Sequence, residues 1–233
     1  MRLISLSHVN DPATTNLYPG DPPFELETIA TIEKDGYYLR YVRQGEHTGT
    51  HWGAPGHFNP GEPLADELDV DDLLLPAVKI DVRPQCATDA DYEVTIGDIE
   101  SWEGRHGRIP DESMVIIWTG WDVRWGTEAY LQRDPGGTLH QPGFARETVE
   151  WLISTGRLGH RGGTGTDTFS PDPGRDTTYA VSRLVYRRHR ISLEVLANLA
   201  ALPPTGARVL CGGQINRAGS GSPALIYGVL PPG

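Results

Sequence analysis

Residues 47–58 read His-Thr-Gly-Thr-His-Trp-Gly-Ala-Pro-Gly-His-Phe, and no other stretch constrains the local fold as strongly. Three imidazoles, His47, His51 and His57, stand at i, i+4 and i+10. A helix would put His47 and His51 one turn apart, but Thr48, Gly49 and Thr50 are poor helix formers. On a strand, His47, Gly49, His51 and Gly53 share one face, with the two imidazoles about 13 Å apart along the backbone. They converge only if the chain bends, and Gly49 is the residue that can bend it. The segment therefore predicts a glycine-bent loop or strand end presenting imidazoles together. Neutral imidazole binds divalent metals and moves protons near pH 7. Gly53, two residues after His51, brings no side chain to such a site.

The rest of the chain limits what such a site can serve. Its 233 residues, 38% of them apolar, suffice for one domain over 1–233. Net charge is −11, with only Lys34 and Lys79 as lysines, which argues against nucleic acid or an anionic membrane as partner. Arg183, Arg187, Arg188 and Arg190 form a patch too short to change that expectation. Cys86 and Cys211 are far apart and form no CxxC, so inert thiols are expected. The first sixteen residues hold too short an apolar stretch for a signal peptide. No run approaches the ~18 apolar residues of a membrane span. A soluble, cytoplasmic protein acting on a small molecule is the expectation.

Gly (28) and Pro (19) are abundant, so short elements joined by many turns are expected. Strands are predicted at Leu3–Leu6, Tyr38–Arg43, Ala77–Val82, Met114–Trp118, Arg208–Leu210 and Ala224–Val229. Helices are predicted at 95–102, with Thr95 and Asp98 as a capping pair, at 144–155 and at 193–202. Asp69–Leu75 reads as a short helical turn. The mixture is α/β. Residues 162–177 read as a long polar loop of the kind that often carries function.

Set against known families, the 47–58 stretch resembles the HxGTHxDxPxH signature of the cyclase superfamily, which includes bacterial kynurenine formamidases and isatin hydrolases. The resemblance spans nearly the whole chain: LSHVNDPATTNLYPGDPPF from Leu6, IIWTGWDVRW at 116–125, HQPGFARETVEWL at 140–152, GTDTFSPD at 165–172, LEVLANLAALP at 193–203 and GSGSPALIYGVL at 219–230. It implies a swivelling β/β/α fold, a homodimer or homotetramer, and activity on small cyclic or amide-bearing compounds. It also implies metal ligation by the two motif histidines and the motif aspartate, and by a downstream His and Glu twelve residues apart. His47, His51 and Glu194 match that pattern; Gly53 and Ser182 stand where the aspartate and the downstream histidine belong. His57 matches the proton-transfer histidine.

The expected cofactor is accordingly none, or a single Zn or Mn ion held by His47, His51 and Glu194. Without a metal-activated water, the remaining chemistry is proton transfer by His57 and His51, tuned by Glu194. The expected activity is ring formation or modification on a small carbonyl or aromatic metabolite in a biosynthetic setting. The alternatives are a metal-dependent amidohydrolase that opens a cyclic amide or cleaves a formamide, and an inactive binding protein. Trp52, Phe58, Tyr18 and Asp167 are the expected substrate contacts, Asp167 with an equally good claim to a structural role. Ser170 is not expected to be a nucleophile, because no GxSxG elbow surrounds it.

Overall fold

A computed structural model describes residues 2–231. Apolar residues at successive strand positions build both sides of one large sheet. Met114 and Ile116 join Leu75, Ala77 and Leu193 in one buried cluster. Val115 and Ile117 point the other way, to Val78, Ile80, Trp102, Val149 and Leu152. An unbroken apolar strand is what two covered faces require.

Among the described residues, nine strands form this sheet, in the order Arg2–Ser5, Ile226–Leu230, Ala207–Cys211, Leu74–Asp81, Met114–Trp118, Gly163–Thr166, Ile191–Glu194, His51–Gly53 and Gly221–Pro223. The four from Leu74–Asp81 to Ile191–Glu194 run parallel. The flanking strands pair antiparallel. The helix Arg146–Ser154 packs against both Ile96–His106 and Ala180–Val185. Thr95 and Asp98 close a reciprocal cap at the start of Ile96–His106. A separate exposed ribbon pairs Glu25–Ala30 with Leu39–Arg43. Among the described residues no helix is long and apolar enough to cross a membrane.

The helix expected at 193–202 does not form. Ile191–Glu194 is a strand, paired with Gly163–Thr166 on one side and His51–Gly53 on the other. Residues 191–197 are all buried, so the apolar spacing marks no amphipathic face. Val195 and Asn198 take positive φ angles of 56° and 55°, leaving only the 3₁₀ turn Leu199–Ala201. The turn expected at 69–75 is the 3₁₀ segment Val70–Leu73, running into the strand Leu74–Asp81. The helix expected from 144 begins at Arg146, because Gly143–Phe144 pairs with Glu93–Val94.

His8 stacks on Trp125 with ring centroids 4.7 Å apart, and its Nε2 is buried without a hydrogen-bond partner among the described residues. Burial lowers its pKa from 6.5 to about 4, against a smaller opposing contribution from the Leu196 backbone. Between pH 6.5 and 4 the unfolded chain therefore binds the proton that the folded chain refuses. This part of the stability is complete above pH 6.5 and is lost as pH falls. Discounted for partial solvent exposure, it amounts to about 2 kcal/mol. His8→Phe should flatten the pH 4–6.5 limb of a urea-unfolding stability curve relative to the parent, and parallel curves would refute this account.

Candidate active site

The parallel strands deliver their carboxyl ends to one edge of the sheet, where open α/β sheets place their ligands. Glu194 ends Ile191–Glu194, and Asp167 follows Gly163–Thr166. Antiparallel pairing sets Glu194 opposite His51 and Ser192 opposite Gly53.

The 47–58 stretch bends as its glycine allows. Gly49 has φ +63°, and a Cβ there would lie 2.1 Å from Asn10 Oδ1. The bend brings the His47 and His51 rings to a centroid distance of 4.9 Å, nearly perpendicular. Pro55 then opens a 3₁₀ turn through His57, whose ring stacks on His47 at 4.0 Å. His47 Nε2 lies 2.9 Å from Ser220 Oγ, and Ser220 Oγ donates to Glu46 Oε2 at 2.9 Å. With its proton committed to Glu46, Ser220 accepts from the His47 ring, which fixes the tautomer. Burial, followed by the neighbouring His51 and His57, lowers the His47 pKa to about 2, so its ring is neutral.

His51 is buried, and its Nδ1 is 2.9 Å from the Gly49 carbonyl, to which it donates. Its Nε2 lies 3.2 Å from Glu194 Oε2 but is not aligned as a hydrogen bond, so the contact is an ion pair. The Tyr186 hydroxyl donates to Glu194 Oε1 at 2.9 Å. Burial opposes charge on both partners, and their mutual attraction prevails: the His51 pKa is raised and that of Glu194 lowered. Burial also lowers the His57 pKa, with Glu194 and Glu46 pulling the other way. The result is a charged pair, His51–Glu194, beside the neutral imidazole of His57. Such divergence marks acid and base roles.

A cavity of about 410 Å³ opens over these groups. Phe58, Phe169, Tyr18 and Tyr179 give it aromatic walls, and Asp21 faces in from the 19–22 turn. Tyr18 Oη and Tyr179 Oη are 3.2 Å apart, so one hydroxyl proton of the two is free for a bound molecule. Tyr179 takes φ +55°, a costly angle for a side chain of its size. Burial raises the pKa of Asp21, with His51 and Glu194 acting in opposite directions.

His47, His51, His57, Glu194, Phe58 and Tyr18 thus all border the cavity. Trp52 and Asp167 do not, which corrects their expected substrate contact. Strand alternation turns Trp52 away from the side His51 faces; it is 1% exposed in the core, donating to the Gly212 carbonyl. Asp167 is fully buried and accepts from Thr119 N, Thr119 Oγ1, Trp121 N and Asp122 N. Ser182 borders the cavity, but its hydroxyl binds Asp172. The sequence reading missed Glu46, Ser220, Tyr186, Asp21 and Tyr179. Glu46, next to His47, was the one with a visible signal.

The donor set does not fit the metal that the resemblance implies. The buried Nε2 of His51 beside a carboxylate would suit an ion. However, Gly53 supplies no ligand, and His47 Nε2 is turned to Ser220. Among the described residues, one group of three His, Cys, Asp or Glu side chains brings its donor atoms within 4.8 Å of one another: Asp69, Asp72 and His189. That group lies outside the cavity lining. There Arg161 already binds Asp72 at 2.6 Å and Asp69 at 3.0 Å, supplying the positive charge.

A family model described as "Putative cyclase" matches residues 4–173. Isatin hydrolase of Roseibium aggregatum is 33% identical over 221 residues, covering 90% of this chain and 82% of that protein. Kynurenine formamidase of Bacillus cytotoxicus is 43% identical over 67 residues, 28% of this chain and 32% of that protein. The structure of isatin hydrolase A from Labrenzia aggregata bound to benzyl benzoate superposes with a TM-score of 0.90 at 30% identity, covering 98% of this chain and 93% of that one.

Proposed function

This chain belongs to the cyclase family and is an enzyme, and on that premise we propose that it hydrolyses an amide or related acyl bond in a small aromatic carbonyl compound. The observation that carries the reading is the aromatic cavity into which His57 opens beside the His51–Glu194 pair. Similarity to an isatin hydrolase over most of both chains supports hydrolysis over the ring formation expected from sequence.

The chain's own groups can run the reaction. The Tyr18–Tyr179 hydroxyl pair has one proton to donate to the substrate carbonyl. Neutral His57 takes a proton from water as its oxygen bonds to the carbonyl carbon. Glu194 and Glu46 stabilise the imidazolium that forms. His57 then returns the proton to the leaving nitrogen as the C–N bond breaks, giving a carboxylic acid and an amine. Phe58 and Phe169 hold the substrate ring and exclude water from that side.

Ring closure is the second reading, favoured by the lack of a side chain at Gly53 and by Ser182. It needs the same proton transfers, with a substrate nucleophile in place of water. A cytoplasmic homo-oligomer is part of the proposal. The test incubates chelator-treated protein with isatin and with N-formylkynurenine and follows ring opening and formate release. Turnover of either, undiminished by chelator, is expected. If neither is hydrolysed, while an amino- or hydroxy-acid precursor is cyclised, the second reading replaces the first.

A further inference from the structure

Gly53 and Tyr186 belong to one arrangement. A Cβ at position 53 would lie 2.1 Å from Tyr186 Oη and 2.7 Å from its Cζ. The phenol therefore occupies the space that any side chain at 53 would enter. Tyr186 is fully buried, and Phe58 stacks on it at 5.5 Å. Its hydroxyl donates to Glu194 Oε1, while Glu194 Oε2 faces His51 Nε2. The two oxygens of Glu194 are thus flanked by the Tyr186 hydroxyl and the His51 ring, and Tyr186 is not one of the residues that the cyclase signature designates.

We infer that Tyr186 is a positioning residue that substitutes for a side chain at position 53 and keeps divalent cations away from His51 and Glu194. A cation between them would need the His51 Nε2 lone pair and a free Glu194 oxygen. The phenol donates to one of the Glu194 oxygens and fills the space beside position 53. No carboxylate can be added at 53 while the ring is present. The inference stands whatever the substrate proves to be, since it concerns what the site binds when empty.

The test titrates Zn²⁺ and Mn²⁺ into chelator-treated protein by calorimetry, comparing parent, Tyr186→Phe, Gly53→Asp/Tyr186→Ala and His51→Ala. The parent should bind no ion that His51→Ala removes. Gly53→Asp/Tyr186→Ala should gain one ion with at least tenfold higher affinity, and lose it when His51→Ala is added. Tyr186→Phe keeps the ring in place and serves if the double variant fails to fold; freeing Oε1 should raise affinity measurably above the parent. A stoichiometric His51-dependent ion in the parent would overturn the inference. So would folded variants that bind no better than the parent. Because the readout is metal binding, failure here is distinguishable from failure of the hydrolytic assignment.

Discussion

His57→Asn should lower kcat/KM by about 10²–10⁴-fold, the usual range for removing a general base, and leave stability nearly unchanged. His57 is an exposed residue bordering the cavity, and its ring stacks on His47 and meets Phe58 and Tyr186 edge-on. Asparagine keeps the bulk and polarity and loses the titratable nitrogen. The loss should fall on kcat more than on KM, because proton transfer acts in the transition state. His51→Asn should behave differently. It strips the buried Glu194 of its counter-charge, so activity and stability should fall together. Steady-state kinetics paired with urea unfolding separates the two patterns. A His57→Asn enzyme of near-parent kcat would remove His57 from the chemistry.

Asp167→Ala should destabilise the fold by about 4–6 kcal/mol, at the upper end for one substitution. Its carboxylate accepts three backbone N–H groups and one hydroxyl from the turn at 119–122. Alanine removes the acceptor of Thr119 N, Thr119 Oγ1 and Asp122 N and leaves Trp121 N only its 3.3 Å contact to Thr119 Oγ1. Burial raises the pKa of Asp167 to about 6, against those same donors. Asp167→Asn should cost less, since its amide oxygen still accepts while its NH₂ opposes the remaining donors. A shift in the urea midpoint at constant slope is the measurement. A change below about 1 kcal/mol for Asp167→Ala would show that the turn does not depend on this carboxylate.

The residues that could be read in advance had local causes. The Met114–Trp118 strand is a run of β-formers, and the cap at Thr95 is complete within four residues. The bend at Gly49 followed from the distance two imidazoles must close. Trp52 could have been placed from the same reasoning, since strand alternation opposes it to His51. The 193–202 segment could not, because its spacing fits a helix until its neighbours on both sides are known. Glu194 was identified through resemblance, and its meeting with His51 depends on the antiparallel register of two strands more than 130 residues apart in sequence.

By itself the sequence determined which imidazoles would gather, because glycine and proline spacing acts over a few residues, and it marked Gly53 as the missing ligand. Only the tertiary structure decided what fills the gap. Tyr186 reaches Gly53 and Glu194 from just beyond the helix Ala180–Val185. No local pattern encodes a phenol arriving from another element, because that contact exists only once the sheet and the helix are packed together.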